Sequence, residues 1–178
     1  DSSVTGVQTC ALPISWDISK AFDRVRHKDV WSAAKREGFP LDLVRVSLGS
    51  YKWQRRFVDG TLVSQGMWLT IGVAAGSPLA AWELLLVLLR PMETVSVLNR
   101  MVSLSLHVDD LVVEAQEDQP ETTVWNAAKA LADAVVEFGK LELPLDKEKP
   151  TTIVSDSKVA KLAQQIMGVR IGKVADEA

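Results

Sequence analysis

The feature that most restricts what this chain can become is a pair of adjacent carboxylates, Asp109-Asp110, set between two short apolar runs at residues 101–108 and 111–115. Runs of that length and content read as strands, so the sequence predicts a hairpin with two acids at its tip. Like charges a few ångströms apart repel unless a cation intervenes. The pair therefore asks either for a metal ion or for full solvation, and the residues alone leave both readings open. A third acid, Asp17, lies in Trp16-Asp17-Ile18, which reads as a strand end delivering a carboxylate to a strand-to-helix turn. If a sheet brings that strand end beside the hairpin, three acids separated by more than ninety residues form one oxygen-rich site. Mg²⁺ favours such sites, with phosphate oxygens and water completing its shell. In that arrangement repulsion should raise the pKa of at least one of the three.

The rest of the chain organises around these acids as one α+β domain. Its 178 residues suffice for a core, and 47% apolar with 24% charged residues excludes both a disordered and a fibrous chain. Residues 1–14 have no apolar period and are expected to lie outside the fold, leaving 15–178 as the folded domain. A helix is expected over 28–37, stopped by Gly38 and Pro40, with a second over 41–51. Residues 55–58 and 62–69 flank Asp59-Gly60, the strongest short hairpin signal in the chain. Gly72, Gly76 and Pro78 open a long apolar helix reaching about residue 97, with Pro78 near its start. A further helix spans 121–138; an irregular stretch (141–150), a strand (152–154) and a weakly marked tail follow.

Composition narrows the function classes. The longest apolar run, residues 84–89, is bounded by Glu83 and Arg90 and falls far short of the roughly 18 residues a membrane helix needs. No basic-then-apolar leader is present, so the reading is intracellular with no membrane partner. Cys10 is the sole cysteine, which rules out an intrachain disulfide and a cysteine zinc site. The net charge of −3 is unevenly spread: residues 15–56 carry ten Lys or Arg against five acids, and residues 57–178 ten against seventeen. The basic part is local, as a nucleic-acid footprint can be, or as a solvated helix face can be.

Three separated motifs then carry a resemblance. WDISKAFDRVRHKDV followed by GFP, then GVAAGSPLA, then LHVDDLVV resemble successive palm motifs of reverse transcriptases, nearest to the non-LTR retrotransposon type. The resemblance implies a polymerase palm, an antiparallel sheet packed on helices, with fingers missing and thumb incomplete, and little extension activity for this stretch by itself. It implies that Asp17, Asp109 and Asp110 are catalytic and hold two Mg²⁺ ions, replaceable by Mn²⁺. The partners it implies are an RNA template, a DNA primer and deoxynucleoside triphosphates. Backbone N–H groups of Lys20 and Ala21 would meet the triphosphate, and Phe22 would close the sugar pocket. Gly76 would allow close approach of backbone to nucleotide, and Lys149 would reach the pyrophosphate side. Ala75 stands where the family has Gln, and His107-Val108 where it has Tyr-Ala; His107 and His27 read more simply as structural. Residues 4–14, VTGVQTCALPI, resemble a translated sequencing adapter. The alternative to the enzyme is an inactive retroelement remnant that keeps the fold and at most binds nucleic acid.

Overall fold

The computed structural model describes residues 10–74, 76–146, 150–154 and 157–174. These form two compact units, one built from the chain up to Ser19 and from Pro91 onward, the other from Lys20–Arg90.

The first unit is built on a five-stranded sheet in the order β4-β5-β1-β6-β7, where β1 is Cys10–Asp17, β4 Val102–His107, β5 Asp110–Glu117, β6 Thr151–Val154 and β7 Arg170–Val174. All pairings are antiparallel except β6 with β7. That parallel pair needs a crossover, supplied by helix α6, Ser157–Met167. Strand side chains alternate between faces. Leu12 and Ile14 of β1 and Leu111, Val113 and Ala115 of β5 are buried, and helix α5, Pro120–Gly139, packs on these two strands. Its buried residues Val124, Ala127, Leu131, Ala134 and Phe138 recur at helical spacing. The opposite face carries Ser103, Ser105 and His107 of β4, Asp110 and Glu114 of β5, and Pro13, Ser15 and Asp17 of β1, none of them buried.

The strand β1 departs from expectation, because it begins at Cys10, inside the stretch expected to lie outside the fold. Cys10, Leu12 and Ile14 are buried in alternation with Ala11, Pro13 and Ser15. That period of two, interrupted to the eye by Pro13, is the signal of a half-buried strand. Pro13 fits because β6 pairs with β1 only at Ile14 and Ser15, and the Pro13 carbonyl accepts the Thr152 hydroxyl instead. Within the weakly marked tail, residues 157–174 form a helix and a strand: α6 buries Val159, Ala160 and Ala163 and ends at Gly168, whose φ of 65° suits only glycine readily.

The second unit holds α1 (Ala21–Arg24), α2 (His27–Arg36), α3 (Leu41–Tyr51) and the two-stranded ribbon β2–β3 (Val58–Asp59 and Leu62–Val63). Helix α4, Ala80–Leu98, runs through the boundary between units, with Pro91 inside it. Pro78 stands two residues before its first turn, near the helix start as expected. Buried Glu83 accepts the Tyr51 hydroxyl at 2.7 Å, and its other carboxylate oxygen has no partner among the described residues. His27 stacks on the Tyr51 ring and meets the Gly72 carbonyl at 2.7 Å. Among the described residues no helix is long and apolar enough to cross a membrane.

Candidate active site

Strand register decides where the acids fall. β1 runs antiparallel to β5 with Asp17 directly opposite Asp110, and β4 places His107 opposite the same Asp110. His107, Asp110 and Asp17 thus form one row across three neighbouring strands on the sheet face that α5 does not cover. Residues directly opposite in an antiparallel pair have Cβ atoms about 4.5–5.5 Å apart. Asp109 adjoins the row: its carbonyl accepts the Ile18 N–H at 2.9 Å, tying the turn to the residue after Asp17. On the far side of Asp17 a short segment completes the frame. Asp146 N–H donates to the Asp17 carbonyl at 2.8 Å, Ser19 N–H to the Pro144 carbonyl at 2.9 Å, and the Trp16 indole to the Asp146 carbonyl. The sequence reading missed this segment as a support for Asp17, because it lies in a stretch with no periodicity.

The hairpin differs in one respect from the one expected. Its two-residue turn is Val108-Asp109, so only Asp109 sits at the tip, while Asp110 is the first residue of β5. Val108 has φ of 60°. A β-branched side chain in the left-handed region is strained, since its Cβ crowds the backbone there.

The Asp109 carboxyl is pushed above the ordinary aspartate range, first by burial, then by the negative charges of Asp17 and Asp110, with backbone hydrogen bonding and His107 pulling the other way. The Asp109 carboxyl therefore feels the charges of Asp17 and Asp110, although among the described residues no three His, Cys, Asp or Glu side chains are gathered closely enough to hold a metal ion. Carboxylates at strand ends are oxygen ligands of the kind Mg²⁺ takes, so the acids match a hard cation in ligand type alone. A cavity of about 440 Å³ lies at the same strand end, lined by Trp16, Val135, Pro144, Leu145, Pro150 and Met167 among others. Its apolar lining suits packing, not phosphate.

The remaining candidates lie in the second unit or outside the described residues. Lys20 is exposed, with φ of 52°, at the start of the four-residue helix α1. Ala21 is buried and Phe22 half-buried; the Phe22 carbonyl accepts the Val73 N–H at 2.7 Å. At Gly76, expected to allow close approach of a nucleotide, a Cβ would meet no protein atom within 4 Å. Gly72, which the sequence reading used only as a helix-opening signal, is the constrained one: its φ is 84° and a Cβ would stand 2.7 Å from the Asp23 carbonyl oxygen. Lys149 and Ala75 lie outside the described residues.

No family model matches the chain, and no curated protein does. Among solved structures it is similar to an apo telomerase from Candida tropicalis truncated from its C-terminal domain. The identity is 13%, the TM-score is 0.49, and the likeness covers 83% of this chain and 31% of that one. This chain thus spans less than a third of that neighbour, and likeness of this degree assigns it neither a family nor an activity.

Proposed function

We propose that this chain is the palm portion of an RNA-directed DNA polymerase of the reverse transcriptase type, extending a DNA primer on an RNA template from deoxynucleoside triphosphates. The observation that carries the reading is the register that sets Asp17 opposite Asp110, with Asp109 in the adjoining turn. Asp17, Asp109 and Asp110 would hold the metal. Two divalent cations, Mg²⁺ or Mn²⁺, supply charge neutralisation at the attacked phosphate and at the leaving pyrophosphate when bound. The chain's own contribution would be to set Asp17 and Asp110 side by side at the ends of neighbouring strands, with Asp109 in the adjoining turn, so that arriving positive charge relieves their repulsion. In the same reading Lys20 and Ala21 meet the triphosphate through backbone N–H groups and Phe22 screens the sugar. Gly76 lies against the nucleotide, and Lys149 meets the pyrophosphate.

Calorimetric titration with Mn²⁺ tests this. The wild-type chain should bind with an affinity that falls at least about tenfold in Asp109→Asn or Asp17→Asn, the scale of losing one good ligand. Equal binding in all three proteins would end the catalytic assignment. Phe22→Ala should narrow the preference for deoxynucleoside over ribonucleoside triphosphate in equilibrium binding, and an unchanged ratio would return Phe22 to a packing role.

A second reading, a non-catalytic remnant that binds nucleic acid, is favoured by the absence of a gathered ligand set among the described residues. It predicts oligonucleotide binding with no metal binding that depends on Asp109.

A further inference from the structure

The β2–β3 ribbon and the segments flanking it gather a run of exposed large apolar side chains. Trp53, Phe57 and Trp68 are 73%, 74% and 61% exposed, and Val58, Leu62 and Val63 are exposed beside them. Monomeric proteins seldom leave so many large apolar side chains together in water without a binding role. The ribbon has no covering layer within its unit: every residue from Lys52 to Val63 is exposed. Two strands alone are marginal in water. Here they are held by paired bonds between Arg55 and Met67, each 2.8 Å, and by the Phe57 N–H to the Ser64 hydroxyl at 2.9 Å.

Charge selects the occupant. In a chain of net charge −3, residues 52–71 carry Lys52, Arg55 and Arg56 against the single acid Asp59. Three cations and two rings share the run Lys52-Trp53-Gln54-Arg55-Arg56-Phe57. A protein interface core is depleted of Lys, and two copies of this arm would repel one another. A single nucleic-acid strand offers what the arm lacks: base faces for planar rings, and phosphates for the cations.

We infer that this ribbon is a stacking arm for single-stranded nucleic acid, with Trp53, Phe57 and Trp68 as base platforms and Lys52 and Arg56 as phosphate contacts. Arg55 has a different duty. It lies over the Tyr51 ring, 5.6 Å from its centre, and anchors the arm to α3. The inference rests on the proposed polymerase reading only for the class of partner, and it stands or falls separately from the acids.

Fluorescence polarisation of labelled 20-nucleotide oligo(dT) and oligo(rU) with the full chain, across a salt series, tests it. Trp53→Ala should weaken binding about tenfold and Trp53→Phe should largely restore it, as stacking on an exposed ring requires. Lys52→Gln with Arg56→Gln should flatten the salt dependence by about 0.7 per contact removed. A stronger response to oligo(rU) would name RNA as the strand, and equal responses would leave the arm indifferent to the sugar; both support it. Oligonucleotide binding that is identical in wild type and in all ribbon variants would overturn the arm while sparing a nucleic-acid role elsewhere. Absence of oligonucleotide binding together with self-association lost in Trp53→Ala would overturn it in favour of a protein interface. Metal binding is read on the Asp17→Asn and Asp109→Asn proteins and oligonucleotide binding on the ribbon variants, so failure of the metal site and failure of the arm are read on different variants.

Discussion

The chain makes the same turn twice, with different residues. In the ribbon, Val58–Asp59 pairs with Leu62–Val63 across Gly60-Thr61; in the sheet, Val102–His107 pairs with Asp110–Glu117 across Val108-Asp109. Both turns put a left-handed residue first, Gly60 at φ 56° and Val108 at φ 60°, as tight hairpins require. Glycine meets that demand freely; valine meets it against its own sterics. The ribbon hairpin is exposed throughout, whereas the sheet hairpin is anchored by buried Leu111, Val113 and Ala115. A hairpin fixed from behind can carry a strained turn, and the strained turn is the one that bears the acids.

The comparison breaks first on packing. Leu111→Ala in the sheet hairpin should cost about 2–5 kcal/mol, because it leaves a cavity in a closed core. Leu62→Ala on the ribbon should cost less than about 0.5 kcal/mol, since Leu62 is 73% exposed. Denaturant unfolding of the two variants reads both, and comparable losses would mean that the ribbon is buried in solution.

The turns themselves sharpen it next. Val108→Gly should raise stability by about 1 kcal/mol: relief of the left-handed strain outweighs the added flexibility of the unfolded chain. Gly60→Val should do the reverse, read locally as faster amide exchange at Phe57 and Ser64. A Val108→Gly variant that is less stable than wild type would show that the turn is not strained. If it is strained, the glycine variant should also hold Mn²⁺ more weakly, because the turn is then free to move Asp109.

What the sequence made legible, and what it hid, divides along the same line. The Asp109-Asp110 hairpin could be read because its strands are apolar runs bounded by charge, and α3 because Pro40 marks its start and the apolar pattern runs on to Tyr51. The ribbon turn was displaced by one residue, since Asp-Gly reads as the central pair whereas Gly60-Thr61 occupies it. The first half of β1 was hidden because its inward residues, Cys10, Leu12 and Ile14, make sense only against Val113 and Ala115 of a strand a hundred residues later. Helix α6 buries mostly alanine, a weak periodic signal, and β7 needs the crossover before its parallel pairing exists. For the site, the sequence supplied the acids but not the row: that Asp110 stands between His107 and Asp17 is a matter of register, which no local pattern states. Buried Glu83 had no signal either, since only the distant Tyr51 hydroxyl accounts for an acid within this apolar helix.

The smallest effect is electrostatic and tests whether the row acts as a unit. The Asp109 pKa is raised in the folded chain above the ordinary 3.8, with burial as the largest cause and the charges of Asp17 and Asp110 adding to it. A raised folded value means that the folded state holds the proton more tightly than the unfolded one. Its stabilising contribution is complete below the ordinary value and is lost as pH rises through the raised one. Wild-type stability should therefore fall across that window relative to Asp109→Asn, which carries no titrating group there. Because Asp109 is only half-buried, solvent screens the effect and it should be modest. Asp17→Asn should move the end of the window to lower pH without closing it, since the neighbouring charge is removed and burial remains. Thermal unfolding of the three proteins in matched ionic strength at closely spaced pH values between 3.5 and 7 reads the difference. Two outcomes would break the account. If Asp109→Asn and wild type run parallel throughout, Asp109 is not perturbed in the fold. If Asp17→Asn leaves the window where it was, the two acids do not feel each other, and the row across β4, β5 and β1 is an accident of register with no shared site behind it.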